Sequence, residues 1–335
     1  MASGSTKAVY TAIAGNSLVM VAKFVGFAMT GSGALLSEGI HSLADVGNQS
    51  LLALGIKQSE LPPDEDHPYG YGGEQFVWSL ISAVGIFFLG CGVTAYHGVH
   101  TLLHPEPIES PGVALGILAF AVVVEGYALG VATVAIRKQA AKAGVPFWTY
   151  VREGPDPMAV AVLLEDSAAV FGVLLAAGSI GLGQLTGSLY FDGIASLLIA
   201  ALLGGVAIFL VRKNRSQLLG KAVRPEVRER LVHVIADDPV VHGVLDVKAT
   251  RIGADAVRFK AEVEFDGRAI ARRHLSELGD LHAVYDGLAN ADDLAELLVS
   301  YANRITDALG DEVDRLEAKV RSEVPEARHV DLEAD

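Results

Sequence analysis

Cysteine is nearly absent: Cys91 is the single one in 335 residues. One thiol excludes a disulfide framework within the chain, and equally a zinc centre built from cysteines. Positive charge is sparse as well. Lys and Arg number 26 against 40 Asp and Glu, a net charge of −14, which excludes a surface made to hold nucleic acid. Charged residues reach only 20% of the chain while 51% is hydrophobic. That mixture excludes a disordered chain and an ordinary water-soluble domain, and leaves a membrane protein with a soluble part.

The charges show where the two parts divide. Residues 1–215 hold 10 Lys/Arg and 15 Asp/Glu, whereas 216–335 holds 16 and 25. The expectation is a transmembrane domain over 1–215 and a charged soluble domain over 216–335. Crossing a hydrocarbon core of about 30 Å takes roughly 20 apolar residues per helix. Six stretches qualify: 8–29, 33–56, 75–102, 112–136, 158–181 and 190–211. The first lacks the basic leader of a cleavable signal and is too long for one. Pro62-Pro63, Pro68-Tyr-Gly, His104-Pro-Glu-Pro and Pro155-Asp-Pro mark breaks.

With six crossings, Lys7, Lys57, Arg137, Lys138, Lys142, Arg152, Arg212, Lys213 and Arg215 share one side. The opposite loops, near Gly31, Pro105 and Gly187, carry no Lys or Arg. The positive-inside rule then puts both termini in the cytoplasm. Without a presequence, the chain fits a prokaryotic inner (cell) membrane.

Ionisable residues inside spans are expensive, so each is a functional candidate. His41 and Asp45 stand four apart in span 2 and share a helical face. Asp166 in span 5 reaches the same depth near the bilayer midplane. One imidazole nitrogen and two carboxylates suit Zn²⁺, with Mn²⁺, Fe²⁺ or Co²⁺ behind it, unless the pair merely ties helices together. Glu165 points about 100° away from Asp166. It is a candidate fourth ligand, or pairs elsewhere, Lys23 being one choice. Glu125 and Asn48 are candidate polar companions, and Asp192 reads as a cap for span 6.

Outside these spans, Asp64, Glu65, Asp66 and His67 form either a weak accessory metal site or a solvated acidic turn. His97, His100 and His104 read as interfacial. The soluble part reads as a helix from Pro225 to about 236, strands at Val244–Ile252 and Ala256–Phe265, an insertion at 267–290, a long amphipathic helix from Asp292 to Val324 with a bend at Gly310, and a strand at His329. That αββαβ order suits an α+β, ferredoxin-like domain. Its histidines, His233, His242, His274, His282 and His329, read as surface residues or regulatory metal ligands. No nucleotide loop or nucleophile elbow is present.

Several motifs together resemble the cation diffusion facilitator family. Span 2 reads Ser37-Glu-Gly-Ile-His-Ser-Leu-Ala-Asp45-Val-Gly-Asn-Gln49, the loop His67-Pro-Tyr-Gly-Tyr-Gly72, and span 6 begins Asp192-Gly-Ile-Ala-Ser196. The stretch Val162-Leu-Leu-Glu-Asp-Ser-Ala-Ala169 is similar to the branch containing the eukaryotic zinc transporter nine. Better-known branches carry His or Asp at the position of Val162, and a second loop histidine at that of Tyr71. The resemblance implies a six-helix transmembrane bundle with a cytoplasmic tail, a homodimer joined through the tails, and export of a divalent cation in exchange for protons. His41, Asp45 and Asp166 would bind the metal, with Glu165 or water in place of the missing ligand, and Asp64 with His67 at the loop. No prosthetic group and no enzymatic activity are implied. Two other readings use the same residues: an intramembrane metallohydrolase with Glu165 or Glu125 as base, lacking any His-Glu-x-x-His spacing, and a metal sensor or scaffold that binds without transporting.

Overall fold

The computed structural model describes residues 3–30, 33–105, 110–254, 256–275 and 279–335, with side chains described except at 3–5, 29–30 and 33–41. It divides into two compact units, Met1–Leu219 and Gly220–Asp335.

The first unit is all helical. In chain order it contains α1 (Ser3–Thr30), α2 (Gly33–Ser59), α3 (Glu74–Gly85), a π-helical stretch Ile86–Gly92, α4 (Val93–Leu103), α5 (Pro111–Lys142), α6 (Phe147–Glu153), α7 (Pro157–Thr186) and α8 (Tyr190–Leu218). Among the described residues, five helices are long and apolar enough to cross a membrane: Thr6–Ala28, Glu74–Leu103, Pro111–Lys142, Pro157–Thr186 and Tyr190–Leu218. The expected second span, α2, has 27 residues and therefore a length of about 40 Å, but is not among them. Ser42, Asp45, Asn48 and Gln49 make its middle polar. The third span is not one regular helix. Its centre widens into π geometry, a distortion frequent at functional sites.

Local chemistry fixes the connections. Pro157 opens α7 with its fixed φ, and Asp156 caps it by accepting from Ala159 N at 3.0 Å. Gln139 of α5 donates to the other Asp156 oxygen at 3.1 Å and accepts from the Tyr150 hydroxyl at 2.6 Å. Lys213 of α8 is buried and donates to the Val151 carbonyl at 2.7 Å. The small helix α6, absent from the sequence reading, is pinned between these bonds. At the other end α4 and α8 meet through glycine. A Cβ on Gly98 would stand 3.1 Å from the Gly193 carbonyl, and one on Gly193 3.0 Å from that of Gly98. Small residues let membrane helices approach closely, where apolar burial gives little drive. Asp192 is not the cap of α8: Leu189 holds that position, and Asp192 sits in the first turn, where the helix dipole favours a carboxylate.

The second unit contains α9 (Pro225–Ala236), β1 (Val241–Arg251), β2 (Val257–Phe265), α10 (Gly267–Leu275), α11 (Leu281–Asp286), α12 (Ala291–Glu323) and β3 (Ala327–Ala334). The sheet order is β1-β2-β3, with β1 antiparallel and β3 parallel to the central strand. On β2, Val257, Phe259, Ala261 and Val263 are fully buried while Arg258, Lys260 and Glu262 alternate with them on the other face. One face is therefore covered, by Leu231 and Ile235 of α9 and Leu316 and Val320 of α12.

Helix α12 starts at a capping box, Asn290 with Asp293, and is unbroken through Gly310. The expected insertion 267–290 carries two helices. Its apolar anchor is Ile270, buried with Val240 and Ala308 and flanked by Ala269, Ile305 and Leu309, and polar contacts complete the docking. Arg273 pairs with Glu312, and Tyr301 donates to the Ala271 carbonyl at 2.8 Å. Two adjacent apolar residues, Ala269 and Ile270, in a short charged segment leave little helical period to read.

Candidate metal centre

Four helices, α2, α3, α5 and α7, bring the centre together. Asn48 lies three residues after Asp45 on α2, hence on the same face. Its Nδ2 donates to Glu165 Oε1 of α7 at 2.8 Å, a bond spanning 117 residues of chain. Ser82 of α3 reaches the same oxygen at 3.5 Å. Glu165 thus takes its hydrogen bonds from Asn48 and Ser82, while Lys23 of α1, buried, donates to Ser42 Oγ at 2.9 Å.

Asp166 faces the other way on α7, as the 100° step per residue requires. It is 4% exposed, and its Oδ2 is buried and receives no hydrogen bond from the protein. Asp45 of α2 and Glu125 of α5, the latter also buried, lie within electrostatic reach of it. Several carboxylates thus share a low-dielectric interior, an arrangement that a divalent cation would stabilise and that nothing apolar could. Among the described residues no three His, Cys, Asp or Glu side chains converge closely enough to hold a metal. The side chain of His41 lies outside the described residues; its backbone is one helical turn before Asp45 on α2.

Val162, one turn before Asp166, is 0% exposed and part of the hydrophobic core. The position of the missing ligand is therefore packed with hydrocarbon. Oxygen donors near Asp166 come from Asp45 and Glu125, with Glu165 one residue away and tied back to α2.

The loop motif is organised differently. Asp64 Oδ1 accepts from the backbone N–H of His67 at 2.7 Å, and Oδ2 accepts from the Tyr71 hydroxyl at 2.7 Å. The Tyr71 bond first, and the His67 N–H second, hold the Asp64 carboxyl below its ordinary range. His67 Nδ1 stands 3.6 Å from Asp64 Oδ1, its ring against that of Tyr71. Asp64 and His67 are therefore neighbours, and Tyr71, at the position of the second loop histidine, donates its hydroxyl to Asp64 instead. Of the remaining histidines, His100 stacks on His104 with ring centroids 4.9 Å apart, both exposed. His233 meets Asp237 at 3.1 Å and His242 meets Asp266 at 3.8 Å, in separate places on the tail.

Ser82 was not foreseen from the sequence. A hydroxyl three residues from another, Ser79, in an apolar span was the available signal.

Comparison with known proteins bears on the whole chain. Residues 9–219 match the family model described as the cation efflux transmembrane domain. The chain is 45% identical over 333 residues to the proton-coupled zinc antiporter SLC30A9, mitochondrial, of Xenopus laevis, covering 98% of this chain and 59% of that protein. Its human counterpart is 45% identical over 332 residues, covering 98% and 58%. Metal tolerance protein C4 of Arabidopsis thaliana is 40% identical over 335 residues, covering 98% and 73%. The chain spans somewhat under three-fifths of the length of these vertebrate relatives. It is an integral membrane protein, and it belongs to the cation diffusion facilitator family, in the zinc transporter nine-like branch.

Proposed function

We propose that the protein exports a divalent cation, Zn²⁺ foremost, from the cytoplasm in exchange for protons, with His41, Asp45 and Asp166 as the metal ligands. The observation that carries this reading is the buried Asp166, its Oδ2 without a protein donor, beside Asp45 and Glu125 in the helical interior. Anionic oxygens are kept in such a place for a cation or a proton. The vertebrate relatives are named proton-coupled zinc antiporters, which supports the choice of metal and counter-ion.

The chemistry of exchange follows from the ligands. Metal and proton compete for the same lone pair of His41, so binding one displaces the other. Val162 supplies no donor, so water or Glu165 completes the coordination. Glu165 reaches the metal by giving up its bonds to Asn48 and Ser82, which couples binding to the contacts of α2 and α3 with α7. Rocking of these helices between inward- and outward-open states would move metal one way and protons the other.

Two copies associating through the tails complete the reading, with both termini on the positively charged side. The comparisons lend no support to the prokaryotic cell membrane expected from the sequence, since the animal relatives are named mitochondrial. Asp64 and His67 shape the loop, where the Tyr71 hydroxyl and any cation would share the Asp64 carboxylate.

The test is zinc uptake into proteoliposomes that hold an internal zinc indicator, under an imposed pH gradient. Uptake that follows the gradient in the parent protein and vanishes in Asp45→Ala supports the exchanger and its site. Full activity in a folded Asp45→Ala protein overturns the site. Gradient-driven movement of Mn²⁺, Fe²⁺ or Co²⁺ without Zn²⁺ overturns the metal alone. Binding without movement of any of them leaves a sensor.

A further inference from the structure

Helix α3 presents Ser82, Ser79 and Gln75 on one face, three and four residues apart. Ser79 and Ser82 are 0% exposed and Gln75 6%, in a helix that is apolar beyond Glu74 in its first turn. The stripe begins at the carboxylates. Ser82 reaches Glu165, and a Cβ built on Gly85 would lie 3.5 Å from Asn48 Oδ1, so the Asn48 amide oxygen faces the same side of α3. One turn further, Asn214 of α8 donates from Nδ2 to Ser79 Oγ at 2.9 Å, and Gln217 follows one turn along α8. At the far end Gln75 Nε2 donates to the Gly72 carbonyl at 2.8 Å, where the Asp64–Tyr71 loop ends. From Ser82 to Gln75 the stripe covers about 10 Å of helix rise.

Polar residues between membrane helices commonly serve only as glue. Glue pairs its acceptors. Here Asn48 Oδ1, Asn214 Oδ1 and Gln217 Oε1 are buried and take no hydrogen bond from the protein. Asn214 is 0% and Gln217 4% exposed, so bulk water does not reach them from the surface of this state. Buried amide oxygens hold such positions when water, or a hydrated ion, supplies the donor. The five side chains on this face, Gln75, Ser79, Ser82, Asn48 and Asn214, are neutral, as is Gln217 one turn along α8. A cation moving along them meets donors and acceptors but no fixed charge until the carboxylates, so it is neither repelled nor held on the way.

We propose that the face shared by α3 with Asn48 of α2 and Asn214 and Gln217 of α8 is a hydrated passage linking the Gly72 end of the bundle to the Glu165–Asp166 carboxylates. What travels through it rests on the exporter reading; the passage itself does not.

The single native cysteine makes the test direct. In a Cys91→Ala background, Ser79→Cys and Gln217→Cys are exposed in sealed vesicles to a cationic, membrane-impermeant methanethiosulfonate, with Ala132→Cys, fully buried in apolar core, as control. Thiol reactivity follows water access, so either position reacts about tenfold faster than the control with reagent on the side of the Asp64 loop. Control-rate reaction at both positions, or faster reaction only with reagent on the opposite side, overturns the passage. Labelling requires no transport. A protein that labels but moves no metal keeps the passage and loses the exporter reading, and one that moves zinc without labelling does the reverse.

Discussion

In the helical unit the open side chains are large and apolar: Phe88 is 66% exposed, Val123 71%, Tyr127 70% and Leu185 85%. Its interior holds Lys23, Gln49, Ser79, Asp166 and Asn214, all buried. The tail has the opposite arrangement. Phe259, Leu231 and Leu316 are fully buried and the charges of β2 lie on the open face. Lipid is as apolar as leucine, so burying leucine gains nothing in the bundle, and its helices are matched by polar bonds and glycine contacts instead. In the tail, water makes apolar burial the main driving term. The interior of the bundle is consequently free to hold chemistry, whereas that of the tail is given over to stability.

The largest effect that would sharpen this contrast is in the tail core. Phe259→Ala removes the fully buried aromatic of the central strand and should cost about 3–5 kcal/mol. Hydrogen exchange of the β2 amides in the full-length protein reports it, and unchanged protection would break the comparison.

Next comes a pair of valines with equal exposure, Val123 on α5 and Val299 on α12, both 71%. Val123→Lys near the middle of a span should cost about 3 kcal/mol of insertion, seen as loss of membrane-integrated protein. Val299→Lys should change tail stability by no more than about 0.5 kcal/mol. Equal tolerance at both positions would show that Val123 does not face lipid.

A smaller effect tests the charges of the tail. Asp238, 6% exposed at its side chain, accepts two bonds from Arg315 at 2.9 and 2.8 Å, with Lys319 at 3.6 Å. Burial works against its charge, but the Arg315 bonds outweigh it and hold the carboxyl below its ordinary range. A folded-state pKa below the unfolded one gives stability that is fully present above about pH 4 and lost as pH falls through the folded value. Asp238→Asn should cost about 2 kcal/mol at neutral pH and flatten that acid loss. A variant with the acid profile of the parent protein would remove Asp238 from the account.

Much of the bundle was legible because hydropathy and helix period are properties of neighbouring residues. His41 and Asp45 share a face through spacing alone, and the loop lysines and arginines are counted without any fold. The αββαβ order of the tail was legible for the same reason. The sequence left Glu165 open between ligand and ion pair, because its partners are 83 and 117 residues away. The polar stripe escaped notice too. A hydroxyl every third residue in an apolar helix barely alters its pattern, and what makes it a feature is Asn214 arriving from 135 residues away. The α10 docking was missed because its partners, Val240, Ile305, Ala308 and Glu312, lie far along the chain from Ile270 and Arg273.

What the sequence by itself determined is the membrane class, the places of the long helices and of the three strands, the face that joins His41 to Asp45, and the family motifs, since all of these are written in local spacing. Only the tertiary structure decided that Val162 is sealed in the core, that Asn48 and Ser82 hold Glu165, that Tyr71 donates to Asp64, and that β3 runs parallel to β2. These are choices of partner, and a side chain's partner depends on how helices and strands rotate and cross to fill space, which no short stretch of chain encodes.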